Sequence, residues 1–464
     1  MNKVFESPAQ AIADIGDGAT IAIAGFSVGH RFATSLIVAL RDKGVKDLCL
    51  VCNSLGDPGA LRGQILAENK QVKKLVAAFS VRPGTPTSSE DQIAAGDMEV
   101  ELVPQGILVE RCRAGGAGIP AFYSPTSVGT ELAEGREIRE FDGKPHVLES
   151  AIRVDYAFLR GYRADRLGNV QFRGGSQNFN PSFAKAARVA IVEVDEIVEP
   201  GAIPPELINL PGIFVSRIVK TAQSEDGKAW RRPERRPSDK PRLYHGKPAL
   251  TRAGIAKRAA ALVREGTYVN LGVGIPTMVS NYLQDRNVIL HAENGVLGYG
   301  HMVSADDEID PDIYNAAGQF VSLKPGASFF DSVTSFEMAR GGWIDTVILG
   351  AYEVDQTGSV ANWSTSDAKR GGIGGAMDLL SGEGDLVIVM EHCDSKGRPK
   401  LRRKCTYPLT GKGCVDYVVT DLALLRWHDN RFVLEEVAPG FTPGEVLELA
   451  EMEIAVGPDV RAME

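Results

Sequence analysis

The chain of 464 residues is 44% hydrophobic and 24% charged, a globular composition, and it is long enough that two cores are expected rather than one. Its 60 acidic against 51 basic side chains leave a formal charge of −9, which argues against nucleic acid as the main partner because phosphate binding needs a basic face; an anionic metabolite held by a few local cations is not excluded. No apolar run approaches the roughly 20 residues that span a bilayer, so no membrane partner is expected.

In chain order, the opening MNKVFESPAQAIADIGDG has neither a signal-peptide apolar core nor the Arg-rich, acid-poor pattern of a transit peptide, so a cytoplasmic location is expected. Residues 8–15 then predict a helix, TIAIAGF a strand, 33–41 a helix and LCLVCNSLG a second strand. Cys49 and Cys52 form C-x-x-C inside that strand, where alternation sends i and i+3 to opposite faces. They read as structural thiols, and no second Cys or Cys/His pair at ligand spacing supports a metal site.

Residues 222–247 are polar, Pro-containing, basic and aperiodic, so they read as a linker. Beyond it the first pattern recurs: residues 251–264 predict a helix, TYVNLGVGIP a strand, 277–285 a helix and VILHAENG a strand. Asp17-Gly18 matches Glu265-Gly266 before the first strand of each copy, and DYAFLRGYRADRLGNV from Asp155 aligns without a gap to DTVILGAYEVDQTGSV from Asp345. ARVAIVEVDEIV then pairs with GDLVIVMEHCDS, and GIFVSRIVK with VDYVVTDLALL. Preserved order and spacing mark an internal repeat. The fold class is therefore α/β: two tandem related open domains with mainly parallel sheets, residues 1–221 and 248–464, with the ligand cleft expected at their interface.

The chemistry concentrates in VILHAENGVLGYG, residues 288–300. Val288, Ile289 and Leu290 read as a buried parallel strand, and Asn294-Gly295 as the turn after it, because both residues accept positive φ. Glu293 then stands at a strand's carboxyl end, where open α/β sheets place their ligands. In the register of the repeat its counterpart is Asn53, a carboxylate facing an amide. His291 shares the strand and reads as a hydrogen-bonded structural histidine rather than a base. GVGIP from Gly272 lacks G-x-G-x-x-G, which disfavours a nicotinamide cofactor, whereas RGGIGGAMDL has the bare backbone of an anion-binding nest.

With NLGVGIP, ENGVLG, PGASFFDSVTSF, RGGWIDTVILGA, GGAMDL and KCTYPLTGKG in the second half, and VELVPQG, RAGGAGIPAFY, ADRLGNVQFR and VEVDEIVEPGA in the first, the chain resembles the family I coenzyme A transferases of the succinyl-CoA:3-oxoacid type, with both subunits fused. The resemblance implies that Glu293 is the nucleophile, that Gly374 and Gly375 form an oxyanion hole, and that Asn53, Gln105, Asn270, Gly272, Gly274 and Asn294 surround the substrate. It also implies a homodimer acting on an acyl-CoA and a small carboxylic acid, with coenzyme A as substrate, no further cofactor and no metal. Ala292 precedes Glu293 where the family has Ser. Ala24, His30 and Phe32 replace Gly, Gly and Pro of the family pattern, and residues 81–90 also depart, which bears on the acid.

Acetoacetate with succinyl-CoA is the first expectation for the acid pair, with 3-oxoadipate or acetate as alternatives. A hydrolase of thioesters or CoA-bound rings on the same scaffold, and a non-catalytic acyl-CoA sensor, are the readings of other classes. Transfer between two carboxylic acids must conserve the thioester, and a protein carboxylate can carry the acyl group and then CoA. A Glu of ordinary pKa is ionised at pH 7, so no general base is expected.

Overall fold

The computed structural model describes residues 2–26, 31–81, 85–222, 239–303, 309–365 and 370–464. In the first half, the strands Thr20–Ile23, Leu48–Cys52, Val72–Ala77 and Glu99–Leu102 follow one another across a sheet, and Val154–Asp165, Ala187–Val198 and Arg217–Lys220 extend it on the other side of Thr20–Ile23. Every neighbouring pair along this path is parallel. Helices such as Thr34–Lys43 and Gln105–Ala117 supply the crossovers that parallel neighbours require.

The second half lays down Val288–Ala292, Thr267–Leu271, Thr346–Gly350, Asp385–Val389 and Tyr417–Val419 side by side, all parallel and in the order of their first-half counterparts. Beyond these strands the copies diverge. Val296–Met302 and Val321–Phe329 continue the second sheet antiparallel on one side, and Ala423–His428 and Arg431–Val437 do so on the other.

The repeat is carried by matching hydrogen bonds as well as by strand order. Asp17 accepts from the Lys46 N–H at 2.7 Å, and Glu265 from the Asn287 N–H at 2.8 Å. Gly18 and Gly266, at φ 76° and 75°, turn the chain into the two equivalent strands. Asp155 accepts from the Thr20 N–H at 3.0 Å, and Asp345 from the Tyr268 N–H at 2.8 Å. The carboxylates legible as a pattern thus satisfy backbone donors at the same sheet edge in both copies.

Alternation explains the C-x-x-C: Cys52 lies in the apolar cluster on one face of the first sheet, and Cys49 packs on the cluster of the other. Burial pushes the Cys52 thiol up to about 12, which keeps it protonated and unreactive. Ile289, expected to be buried, is 37% exposed beside its register partner Tyr268, because this end of the second sheet is left uncovered.

The two halves share a core. Tyr314, Val333 and Phe336 from the second half belong to the apolar cluster of the first sheet. The Ser332 N–H donates to the Asn178 carbonyl at 3.0 Å, and the Gly175 N–H to the Asp312 carbonyl at 2.8 Å. Buried Arg31 donates to both Asp312 of the second half and Asp195 of the first. Most of the expected linker, residues 223–238, lies outside the described residues.

Candidate active site

Glu293 follows directly on the strand Val288–Ala292. Gly295, at φ 106°, reverses the chain there, and Val296–Met302 returns antiparallel. A side chain at 295 would strike the Phe330 carbonyl, so the turn requires glycine. The expected positive φ falls on Gly295 alone, not on Asn294. Asn294 instead anchors the turn: its Nδ2 donates to the Tyr314 carbonyl at 2.8 Å, and it does not line the cleft.

Facing Glu293 is the glycine loop 371–375 of the second half, fastened to strand ends of the first. The Ser80 N–H donates to the Gly371 carbonyl at 3.0 Å, the Ile373 N–H to the Ala78 carbonyl at 2.9 Å, and the Gln105 N–H to the Gly374 carbonyl at 2.9 Å. The Phe79 ring fills the space where side chains at 372 and 374 would go. At Gly375 a Cβ would collide with the Glu293 carboxylate and lie 2.8 Å from the Phe336 ring. Bare backbone at 375 is therefore what lets the loop approach the carboxylate. The Gly374 N–H reaches the Ala78 carbonyl at 3.4 Å, and the Gly375 N–H has no acceptor among the described residues.

Glu293, Gly374 and Gly375 line a cleft of about 880 Å³ between the halves, together with Asn53, Gln105 and Gly272. Gln105 Nε2 donates to Asn53 Oδ1 at 2.8 Å, and the buried Gln105 Oε1 has no partner among the described residues. Because that oxygen is enclosed by protein, the polar edge the pair can offer a ligand is the Asn53 Nδ2 donor. Besides Asn294, two more residues expected around the substrate do not reach the cleft. Gly274 lies outside its lining, and Asn270 is buried beneath it.

Asn270 Nδ2 lies 2.9 Å from His291 Nδ1, and His291 Nε2 lies 3.0 Å from Ser335 Oγ. The amide donor makes Nδ1 the acceptor and leaves Nε2–H to donate to Ser335. Burial pushes this imidazole down to about 4, so His291 stays neutral, is satisfied on both sides and is not a base.

The carboxylate itself differs from expectation. Glu293 is partly open to the cleft but walled by protein, and loss of water pushes its carboxyl up to about 7, with the charge of Asp378 adding to the rise. The solution value that implied full ionisation at pH 7 does not apply to a desolvated carboxyl beside a like charge. Between the ordinary value of 4.5 and about 7 the folded chain holds a proton that the unfolded chain releases. Stability from this group is present below that window and lost as pH rises through it.

Asp378, the acid of GGAMDL, ties the site together, a role that sequence reasoning missed. It is fully buried on the helix Ala376–Leu380 and accepts from the Gly106 N–H at 2.8 Å, from Thr126 Oγ1 at 3.3 Å and from Arg340 at 3.4 Å. Burial pushes it up to about 6 against the pull of Arg340. Its one trace in the sequence is an acid on the buried side of a short helix. Of the departures noted near the acid, His30 and residues 82–84 lie outside the described residues. Phe32 is a core residue of the first sheet with Arg62 over its ring at 4.9 Å, and Ala24 is buried on the sheet's opposite face; neither lines the cleft.

Comparison with known proteins gives a consistent result. The coenzyme A transferase family model matches residues 5–221 and 253–449. The chain is 42% identical over 495 aligned positions to the mitochondrial succinyl-CoA:3-ketoacid coenzyme A transferase 2 of Homo sapiens, covering 100% of this chain and 92% of that protein. One of the separate subunits of the succinyl-CoA:3-ketoacid coenzyme A transferase of Helicobacter pylori is 43% identical and aligns over 99% of its own length to 44% of this chain, as expected if two subunits are fused here. Among solved structures, the acyl-CoA transferase YdiF apoenzyme of Escherichia coli O157:H7 superposes with a TM-score of 0.79 at 21% identity, covering 100% of this chain and 95% of that one, which shows the fold. The mammalian relatives that span the chain are mitochondrial by name, and this overturns the cytoplasmic expectation. N-terminal composition reports an import signal only where one is part of the sequence read, so it does not decide the compartment.

Proposed function

Because the chain belongs to the coenzyme A transferase family, we propose that it moves coenzyme A from succinyl-CoA to a 3-ketoacid, acetoacetate first, through a thioester on Glu293. The observation that carries the proposal is the fit of Gly375 against the Glu293 carboxylate at the meeting of the two halves. The units assigned to the reaction are residues 1–221 and 248–464, acting as a homodimer.

A Glu293 oxygen attacks the thioester carbonyl carbon, the C–S bond breaks, and CoA leaves as thiolate with a mixed anhydride left behind. The thiolate then attacks the Glu293 carbonyl carbon, the bond from that carbon to the bridging oxygen breaks, and succinate departs with the oxygen. The second acid reverses both steps, so the thioester is conserved and no redox or metal step is needed. Each addition places negative charge on a carbonyl oxygen, and the open Gly375 N–H is the donor assigned to it. The Asn53–Gln105 pair is assigned to the acid, and the walled cleft shields the anhydride from water.

Initial rates with both substrates varied should give parallel double-reciprocal lines, and donor exchange should proceed without the acceptor acid. Intersecting lines without exchange contradict the covalent route; CoA release in the absence of any acid favours hydrolysis instead. The reactive form is the carboxylate, so activity at limiting donor should rise with pH through about 7. Asp378→Asn keeps an acceptor for the Gly106 N–H and removes the like charge, which lowers the Glu293 pKa. The acid limb of the kcat/KM profile should therefore move to lower pH, and an unmoved limb would mean that the charge of Asp378 is not felt at Glu293.

A further inference from the structure

The cleft does not end at the carboxylate. From Glu293 it runs across the carboxyl edge of the second sheet over Gly272, Leu349, Gly350 and Met390 to Lys400. The Lys400 N–H donates to the His392 carbonyl at 3.0 Å, which sets this residue beside the end of Asp385–Val389. That strand is separated from Val288–Ala292 by Thr267–Leu271 and Thr346–Gly350. Three inter-strand spacings of about 4.8 Å put Lys400 roughly 14 Å from Glu293.

Lys400 is half-buried, lines the cleft, and its ammonium has no hydrogen bond or ion pair among the described residues. The cations around it are committed. Arg242 donates to the Cys393 and Asp394 carbonyls, and Arg252 holds Glu391 at 2.6 Å. Arg398 is paired with Asp394 at 2.6 Å. Burial pushes the Lys400 ammonium down to about 8 although the charges of Glu391 and Asp421 pull the other way, so these carboxylates do not fully compensate it, and an anionic ligand group in hydrogen-bond contact relieves the remaining cost.

We propose that Lys400 binds a phosphate of the coenzyme A nucleotide, with the pantetheine arm lying along the sheet edge between it and Glu293. The reach decides between the two anions a substrate offers. From sulfur to the first phosphorus the arm has about thirteen bonds, some four residue-lengths, or roughly 14 Å extended. The far carboxylate of a four-carbon diacid lies about one residue-length, some 4 Å, from the reacting carbonyl and cannot reach Lys400 while the thioester sits at Glu293. This inference rests on the proposed function for the position of the sulfur, and its test is a binding measurement that does not depend on turnover.

Calorimetric titration of the whole chain with coenzyme A and with pantetheine, which shares the thiol and arm but has no phosphate, separates the contributions. Lys400→Gln should weaken coenzyme A binding roughly ten- to a hundredfold, the range of one charge-assisted hydrogen bond, and leave pantetheine binding unchanged. Lys400→Arg should restore most of the loss. In turnover, the KM for succinyl-CoA should rise in Lys400→Gln while that for the acid and kcat stay near wild type. Equal weakening of both ligands would assign Lys400 to the fold. A change confined to the acid's KM would assign it to the distal carboxylate, and no change at all removes it from the site; each of these overturns the proposal. Absence of transfer activity in the wild-type chain would instead count against the proposed function.

Discussion

Glu293→Ala is expected to lower CoA transfer by roughly four to six orders of magnitude, the scale on which loss of a covalent nucleophile acts. The fold should survive the change. Glu293 follows the strand end and is a desolvated carboxyl whose ionisation costs stability above about pH 7, so truncating it removes an unfavourable group and not a packing contact. Thermal unfolding at pH 8 should show a midpoint equal to or above that of the wild type. Glu293→Asp keeps the charge but withdraws the oxygen by one methylene. A displacement of about 1 Å costs on the order of a hundredfold, so only trace transfer is expected. Near wild-type transfer by the Ala variant would remove Glu293 from the reaction.

Gly375→Ala is the second large effect. The added methyl has no room: it meets the Glu293 carboxylate on one side and the Phe336 ring at 2.8 Å on the other. Phe336 is fully buried in the core shared by the two halves and cannot yield, so the carboxylate or the loop must move. Either shift misplaces the nucleophile relative to the open Gly375 N–H, and the loss of an oxyanion donor alone costs roughly a hundred- to a thousandfold in kcat. Gly374→Ala should hurt differently. Its φ of 58° strains any side chain and its Cβ would press on Phe79 at 3.1 Å, so instability is expected along with lost activity. An active Gly375→Ala variant would contradict the fit on which the site is built.

How much of this was legible depended on whether the cause was local. Strand, turn and carboxylate in VILHAENGVLGYG are written within a few residues, and the equivalence of Asn53 and Glu293 follows from a repeat whose aspartates and glycines recur at fixed spacing. The matching backbone bonds of Asp155 and Asp345 show why those residues recur. Depth was not legible. Asn53 and Asn270 both stand near strand ends, but Asn53 lies just past Cys52, whereas Asn270 is inside its strand and turned toward His291. One position along the strand decides between cleft and core.

The state of Glu293 was not legible either. Its high pKa comes from enclosure by both halves and from Asp378, whose own partner Gly106 lies 272 residues away in the chain. Long-range placement of that kind leaves no periodic trace. The wall of the cleft is likewise a tertiary matter: Phe32, prominent as a departure in sequence, packs into the first sheet, while Phe26 and Phe79 line the cleft.

The central claim is that CoA resides on Glu293 between the two half-reactions, and trapping it is the most direct measurement. The chain is incubated with succinyl-CoA and no acceptor acid, reduced with borohydride and digested for peptide mass spectrometry. Borohydride reduces a thioester in preference to a free carboxylate, so the peptide carrying HAENG should be about 14 Da lighter, as a glutamyl thioester converted to an alcohol requires, and activity should be lost in proportion. The same treatment of Glu293→Ala should leave every peptide unchanged. A label on another carboxylate, or an unlabelled enzyme that still transfers CoA, contradicts the account.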